Sequence, residues 1–83
     1  MSKLHMVEGE FLNNMFTLKL DIFSNDQVLI FEYFIVRNWL RKKIKNQWYV
    51  ECDNSIKVSF KNKKDLCKFK LHKISSRYMI TNL

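Results

Sequence analysis

An α+β domain follows from three features of the chain. Short runs alternate apolar and polar residues, one long segment repeats its apolar residues every three to four positions, and a compact turn joins two of the alternating runs. With 83 residues, 47% of them hydrophobic and 14% aromatic, the chain is sized for a single domain spanning residues 1–83 with one core. Residues 1–14 are expected as a less ordered N-terminal arm.

"MFTLKLDIF", Met15 to Phe23, is the first alternating run. Phe16, Leu18, Leu20 and Ile22 fall on one side, and Thr17, Lys19 and Asp21 on the other, as in a half-buried strand. Ser24 and Asn25 are then helix-capping candidates, and Asp26 suits the positive end of a helix. The segment Asp26 to Lys45 reads as a helix. Its stripe is Leu29, Tyr33, Val36, Leu40 and Ile44, widened by Val28, Phe31, Ile35 and Trp39. Arg37, Arg41, Lys42, Lys43 and Lys45 crowd its last turns, where cations favour the helix dipole. Its first half is apolar nearly all round, because Ile30 and Phe34 lie off the stripe.

"QWYVEC", Gln47 to Cys52, is a second strand, and "DNS", Asp53 to Ser55, a turn. Ser55 to Phe60 is a third strand, with Ile56, Val58 and Phe60 inward and Lys57, Ser59 and Lys61 outward; the two strands form a hairpin. In residues 62–74 two periods compete. Asn62 can cap a helix whose first turn holds Asp65, while Cys67, Phe69 and Leu71 alternate as in a strand. Helix is the preferred reading, with Leu66 and Phe69 on one face. "RYMITNL", Arg77 to Leu83, is a last strand.

The order strand, helix, strand, strand, helix, strand is the split βαβ arrangement of ferredoxin-like folds: one antiparallel sheet with two helices on one face. The alternative is a mostly antiparallel sheet with one long helix.

Charge divides the chain unevenly. Residues 1–36 carry a net −3 and residues 37–83 a net +10, which together give the formal +7. Such asymmetry suits an acidic partner, protein or nucleic acid. Of the 15 basic residues, 12 are lysine; Pro and Ala are absent and Gly9 stands alone. An AT-rich genome produces the same bias, so drift in composition competes with function as the source of the lysines.

The chain from Asn46 to Leu71, with the strand ending at Phe60 followed by Asp65, Phe69 and Leu71, resembles small accessory proteins encoded by tailed bacteriophages. It departs from them in placing lysines where acidic residues commonly precede the Asp. The resemblance implies an α+β fold and a role in host takeover, and no activity.

Chemical motifs are sparse. His5, His72, Cys52 and Cys67 show no metal-binding spacing, so no metal and no cofactor is expected. Both thiols are expected as small core residues in a reducing compartment. Cys67 with His72, five apart, is the lone Cys–His pair of interest, read as a core cysteine and a surface histidine. One lone glycine provides no phosphate cradle. Asp21 near the end of the first strand is where a ferredoxin-like nuclease would hold a divalent metal, which makes a metal-dependent nuclease a minor alternative; on the polar side of its strand, an ordinary solvated carboxylate is the preferred reading.

A non-enzymatic binding protein is therefore the first functional reading. It docks on a host or phage protein through Ile30, Phe31, Phe34 and Arg37, with a homodimer as one form of that contact. The second reading is sequence-tolerant binding of RNA or DNA by Arg41, Lys42, Lys43, Lys45, Lys57, Lys61, Lys63, Lys64, Lys68 and Lys70. Base stacking on the sheet is not expected, because Thr17, Lys19, Asp21, Lys57 and Ser59 provide no aromatic platform and Tyr49 is placed on an edge strand. The run Val28 to Val36, broken by Glu32, is far short of the ~20 residues a membrane span needs. No secretory h-region is evident, and the host cytoplasm is the expected location.

Overall fold

The computed structural model describes residues 5–22 and 25–83. Five strands and two helices follow one another as β1 (Met6–Gly9), β2 (Phe16–Asp21), α1 (Asp26–Lys43), β3 (Trp48–Cys52), β4 (Ile56–Phe60), α2 (Lys63–Leu71), a 3-10 helix (Lys73–Arg77) and β5 (Met79–Asn82). The strands form one antiparallel sheet in the order β1-β3-β4-β2-β5. Without β1, this is the strand order of a ferredoxin-like fold, and the α+β class is the expected one. Phe23 and the capping candidate Ser24 lie outside the described residues.

One face of the sheet is apolar throughout. Leu18 and Leu20 of β2, Val50 and Cys52 of β3, and Ile56, Val58 and Phe60 of β4 are all fully buried. The pairing Leu18–Val58–Val50 and Leu20–Ile56–Cys52 lines them up across three strands. The stripe Leu29, Tyr33, Val36, Leu40 and Ile44 of α1 lies on this face. Phe69 of α2 closes the core between Trp39 and Phe60, its ring centroid 5.3 Å and 6.0 Å from theirs. Both helices therefore share one side of the sheet.

The helix ends follow local chemistry. Asn25 Oδ1 accepts from Val28 N at 3.1 Å to start α1, and Asn62 Oδ1 accepts from Lys64 N at 2.8 Å to start α2. The second cap goes with the helical arrangement of residues 63–71 in place of the strand. His72 ends α2 and starts the 3-10 helix, its Nδ1 accepting from Ile74 N at 3.2 Å.

Several expectations are corrected. Residues 6–9, within the segment expected as an arm, form a fifth strand on β3, so β3 is interior and Tyr49 does not sit at an edge. β1 is short and ends at Gly9, whose φ of 94° favours glycine; a Cβ there would collide with the Trp48 carbonyl oxygen. Phe16, expected inward, is exposed at the end of β2, and Val28 and Phe31 of α1 are exposed rather than part of the buried stripe. Ser59, expected outward, is only 1% exposed. Cys67 and His72 exchange roles: the thiol is exposed, while the imidazole lies half-buried 5.4 Å from the Trp39 ring.

Glu32, the one charge in the apolar run of α1, is buried. Arg77 Nε donates to its Oε1 at 2.9 Å, Arg77 Nη2 donates to its Oε2, and Tyr78 Oη donates to Oε1 at 2.8 Å. This charge-assisted fork ties the middle of α1 to the start of β5. The Arg77 hydrogen bonds hold the Glu32 carboxyl below the usual glutamate value, against the opposing effect of burial and with help from Tyr78.

Arg77→Ala leaves Tyr78 as the remaining donor to a buried carboxylate. Urea unfolding at pH 7 should show a loss of about 2 kcal/mol, below the figure for a fully buried pair because Arg77 is half-exposed. Since the folded value of Glu32 is depressed, its stabilisation is complete above the ordinary value of 4.5 and is lost as pH falls through the folded value. The difference between wild type and Arg77→Ala should narrow at low pH; a difference that stays constant from neutral to acid would contradict this role of Glu32.

Candidate functional site

The outer side of α1 is the first candidate surface. At about 100° per residue, Phe31 points directly away from the core stripe, and Phe34 and Val28 lie about 60° to either side of it. Phe31 is 62% exposed, and Phe34 and Val28 are each 38% exposed, while Ile30 and Ile35 are half-buried at the flanks. These positions repeat at i, i+3 and i+6 or i+7, so the N-terminal half of α1 carries an apolar strip on each side. The sheet covers one strip, and the other lies on the surface.

Arg37 lies beside the outer strip, its guanidinium carbon 4.7 Å from the Phe34 ring centroid. Its Nη1 is 3.6 Å from Glu8 Oε1, and its Nη2 donates to Asn38 Oδ1 at 3.1 Å. Arg41 Nε donates to Glu8 Oε2 at 2.6 Å, which raises the Arg41 pKa, chiefly through that hydrogen bond. Glu8 reaches both arginines because β1 brings it to the helix side of the sheet. Arg41 is therefore tied to β1 and stands apart from the lysine group to which the sequence assigns it.

The remaining cations gather at one end of the molecule. Lys43 and Lys45 at the end of α1 meet Lys61, Lys63, Lys64, Lys68 and Lys70 at the end of β4 and along α2, while Lys42 lies on the outer side of α1. Lys68 Nζ donates to the Lys43 carbonyl at 3.0 Å, and Asn46 Nδ2 donates to Asp65 Oδ2 at 3.1 Å, so the two groups are in direct contact. Lys45, Lys61 and Lys63 line a recess with Asn46, Gln47 and Asn62. Lys57 is separate: it lies on the open face of the sheet, paired in register with Glu51 on one side and Lys19 on the other.

The open face holds a feature that the sequence reading missed. Tyr49, Ser59 and Thr17 form a row across β3, β4 and β2. Phe11, from the irregular segment after β1, stands edge-on to Tyr49 with ring centroids 5.5 Å apart. Phe11 is 59% exposed. The Thr17 and Ser59 hydroxyls are 2.7 Å apart. Phe11, Met15 and Leu83 surround the row, which explains the burial of Ser59, and they enclose a depression of about 520 Å³ that also reaches Glu51 and Lys57. Burial, and then the Glu51 charge, raise the Tyr49 pKa. Phe11 gives no period-2 or helical signal, because it contributes through a crossing segment and not through a strand.

Among the described residues, no three His, Cys, Asp or Glu side chains gather as a metal-holding group. Asp21 lies 3.8 Å from Lys19 on the open face. Cys52 is sealed in the core, where burial pushes its thiol up to about 11. Among the described residues no helix is long and apolar enough to cross a membrane. Comparisons with protein-family models, curated proteins and solved structures return no match.

The two thiols should separate in a disulfide-exchange titration. The native chain is expected to release one equivalent from Cys67, and a second from Cys52 only in denaturant; rapid release of both from the folded chain would contradict the burial of Cys52.

Proposed function

We propose that the chain is a small non-enzymatic binding protein that docks on an acidic partner protein through the outer strip of α1. The observation that carries this reading is the exposure of Phe31, with Phe34 and Val28 beside it, on a helix whose opposite strip is already buried. A contiguous apolar patch of about 300 Å² is the size of the largest patch on a typical monomer, and such patches are often binding surfaces.

Patch size and charge indicate the kind of partner. A fully buried Phe removes 150–250 Å² from water, so the exposed parts of these three side chains amount to roughly 300 Å². A stable protein–protein interface needs about 800 Å² per partner. Two copies meeting flat across this strip fall short of that area. A groove that receives the helix reaches further, to the flanks at Ile30 and Ile35 and to Lys42 on the next outer turns. Its floor would be apolar to take Phe31 and Phe34. Its rim would carry acidic groups to match Lys42 on the outer side of the last turns of α1. Host takeover by a phage accessory protein, implied by the resemblance of residues 46–71, is compatible with this mode.

Phe31→Asp should leave folding stability within about 0.5 kcal/mol of wild type, because that ring faces solvent, whereas Phe34→Asp should cost more, because its ring is largely covered and packs on Tyr33 and Arg37. Photocrosslinking from Phe31→p-benzoylphenylalanine in the cell of origin is expected to label one acidic protein. Phe34→Asp should abolish that crosslink and weaken binding of the purified partner by at least about thirtyfold. Crosslinking to a second copy, with a dimer in light scattering that Phe34→Asp dissociates, would replace the partner protein with self-association. A crosslink unaffected by Phe34→Asp would overturn the α1 surface.

A further inference from the structure

The open face of the sheet combines two features usually needed by different parts of one ligand. The depression beside Phe11 and Tyr49 presents ring surface, with Phe11 59% exposed. Met15, Thr17 and Leu83, which line it, also line a second recess that runs to Lys63 and Lys70 of α2. Lys63 in turn borders the recess of Lys45 and Lys61. Aromatic surface and lysine cluster are thus continuous around the end of the sheet where β4 passes into α2. Lys61 Nζ points back toward the aromatic side, donating to the Asn13 carbonyl at 3.4 Å.

We propose that this face binds single-stranded RNA, one base packing on Phe11 and Tyr49 and the flanking phosphates lying on Lys61, Lys63 and Lys70. Every base has a ring face, and aromatic side chains accept it whatever the sequence. Lysines about the rim neutralise phosphates by releasing counterions. A duplex keeps its bases stacked inside and cannot bring one to Phe11, so the ligand is unpaired. Two carboxylates lie near the path. Glu51 is opposite Lys57 in register and 3.2 Å from His5, and Asp65 is taken by Asn46. Glu51 and the Thr17 hydroxyl line the depression as hydrogen-bonding groups for a ribose 2′-hydroxyl, which favours RNA over DNA. The RNA surface is separate from the outer strip of α1 and does not depend on it.

Fluorescence anisotropy with a labelled twelve-residue oligouridine tests the assignment, using the whole chain. Saturable binding is expected, weakening about 20-fold between 50 and 200 mM salt if three phosphates are neutralised on a single strand. Phe11→Ala should weaken binding about tenfold with the salt dependence unchanged, and Phe11→Tyr should retain it. Replacing Lys61, Lys63 and Lys70 together with Gln should flatten the salt dependence. Phe31→Asp should leave RNA binding intact, so failure at this face and failure at α1 are distinguishable. Absence of saturable binding, equal affinity for duplex, or wild-type affinity in Phe11→Ala would overturn the proposal. Equal or tighter binding of the corresponding DNA would overturn the choice of RNA.

Discussion

One layer of helices covers one face of the sheet, and the surfaces of interest follow from that constraint. The row Leu18–Val58–Val50 and its neighbours need an apolar cover, and α1 and α2 provide it from one side. Among the described residues no second layer of helices packs on the other face. The opposite face of the sheet and the outer side of α1 are therefore left to solvent. Alternation in the strands makes the open face largely polar, which is the usual solution. Phe11 and Tyr49 depart from it, as do Val28, Phe31 and Phe34 on the helix. Each departure exposes ring or aliphatic surface to water, where burial is worth about 25 cal/mol per Å².

Glu32 shows why the layer holds at a place where its sequence looks weakest. A carboxylate facing the core of an amphipathic helix costs several kcal/mol unless its charge is met. Arg77 and Tyr78 meet it from the junction between the 3-10 helix and β5. The same contact fixes the last strand against the first helix, elements 45 and 46 residues apart in the chain. Tyr78 reflects the other side of the bargain: burial, followed by its bond to Glu32, pushes its hydroxyl pKa well up, so it remains a donor. Glu8 does similar work at the other edge, where it gathers Arg37 and Arg41 onto β1.

Local periodicity made most of the fold legible. The stripe of α1 from Leu29 to Ile44, the turn at Asp53 to Ser55 and the inward set Ile56, Val58 and Phe60 are each fixed by neighbours in sequence. Residues 62–74 are ambiguous by period, and the Asn62 cap, itself a local signal, accompanies the helical outcome over Lys63–Leu71. What escaped depends on distant pairing. Four residues of β1 carry too little pattern to be recognised as a strand, and their role becomes visible only against β3. Once β1 is in place, Tyr49 moves from an edge to the interior of the sheet and Arg41 leaves the lysine group. Phe11 and its partnership with Tyr49 follow from the same event, because the chain leaving Gly9 must cross the open face to reach β2.

That dependence also bears on the question of compositional drift. Lysines scattered by codon bias would sit wherever the outer surface allows, and Lys19 and Lys57 fit that description, each beside a carboxylate. The group from α1 and α2 is different in arrangement. Two stretches separated by the β3–β4 hairpin converge on one end, where Asp65 is the carboxylate in contact and Asn46 occupies it. Mutual repulsion opposes such convergence, and only part is offset by the Lys43 carbonyl that receives Lys68 at the negative end of α1. Close gathering of like charges costs less once a polyanion covers them. The physical case for a ligand at this end therefore rests on the spatial convergence of the lysines and their continuity with the Phe11–Tyr49 depression, and not on their number.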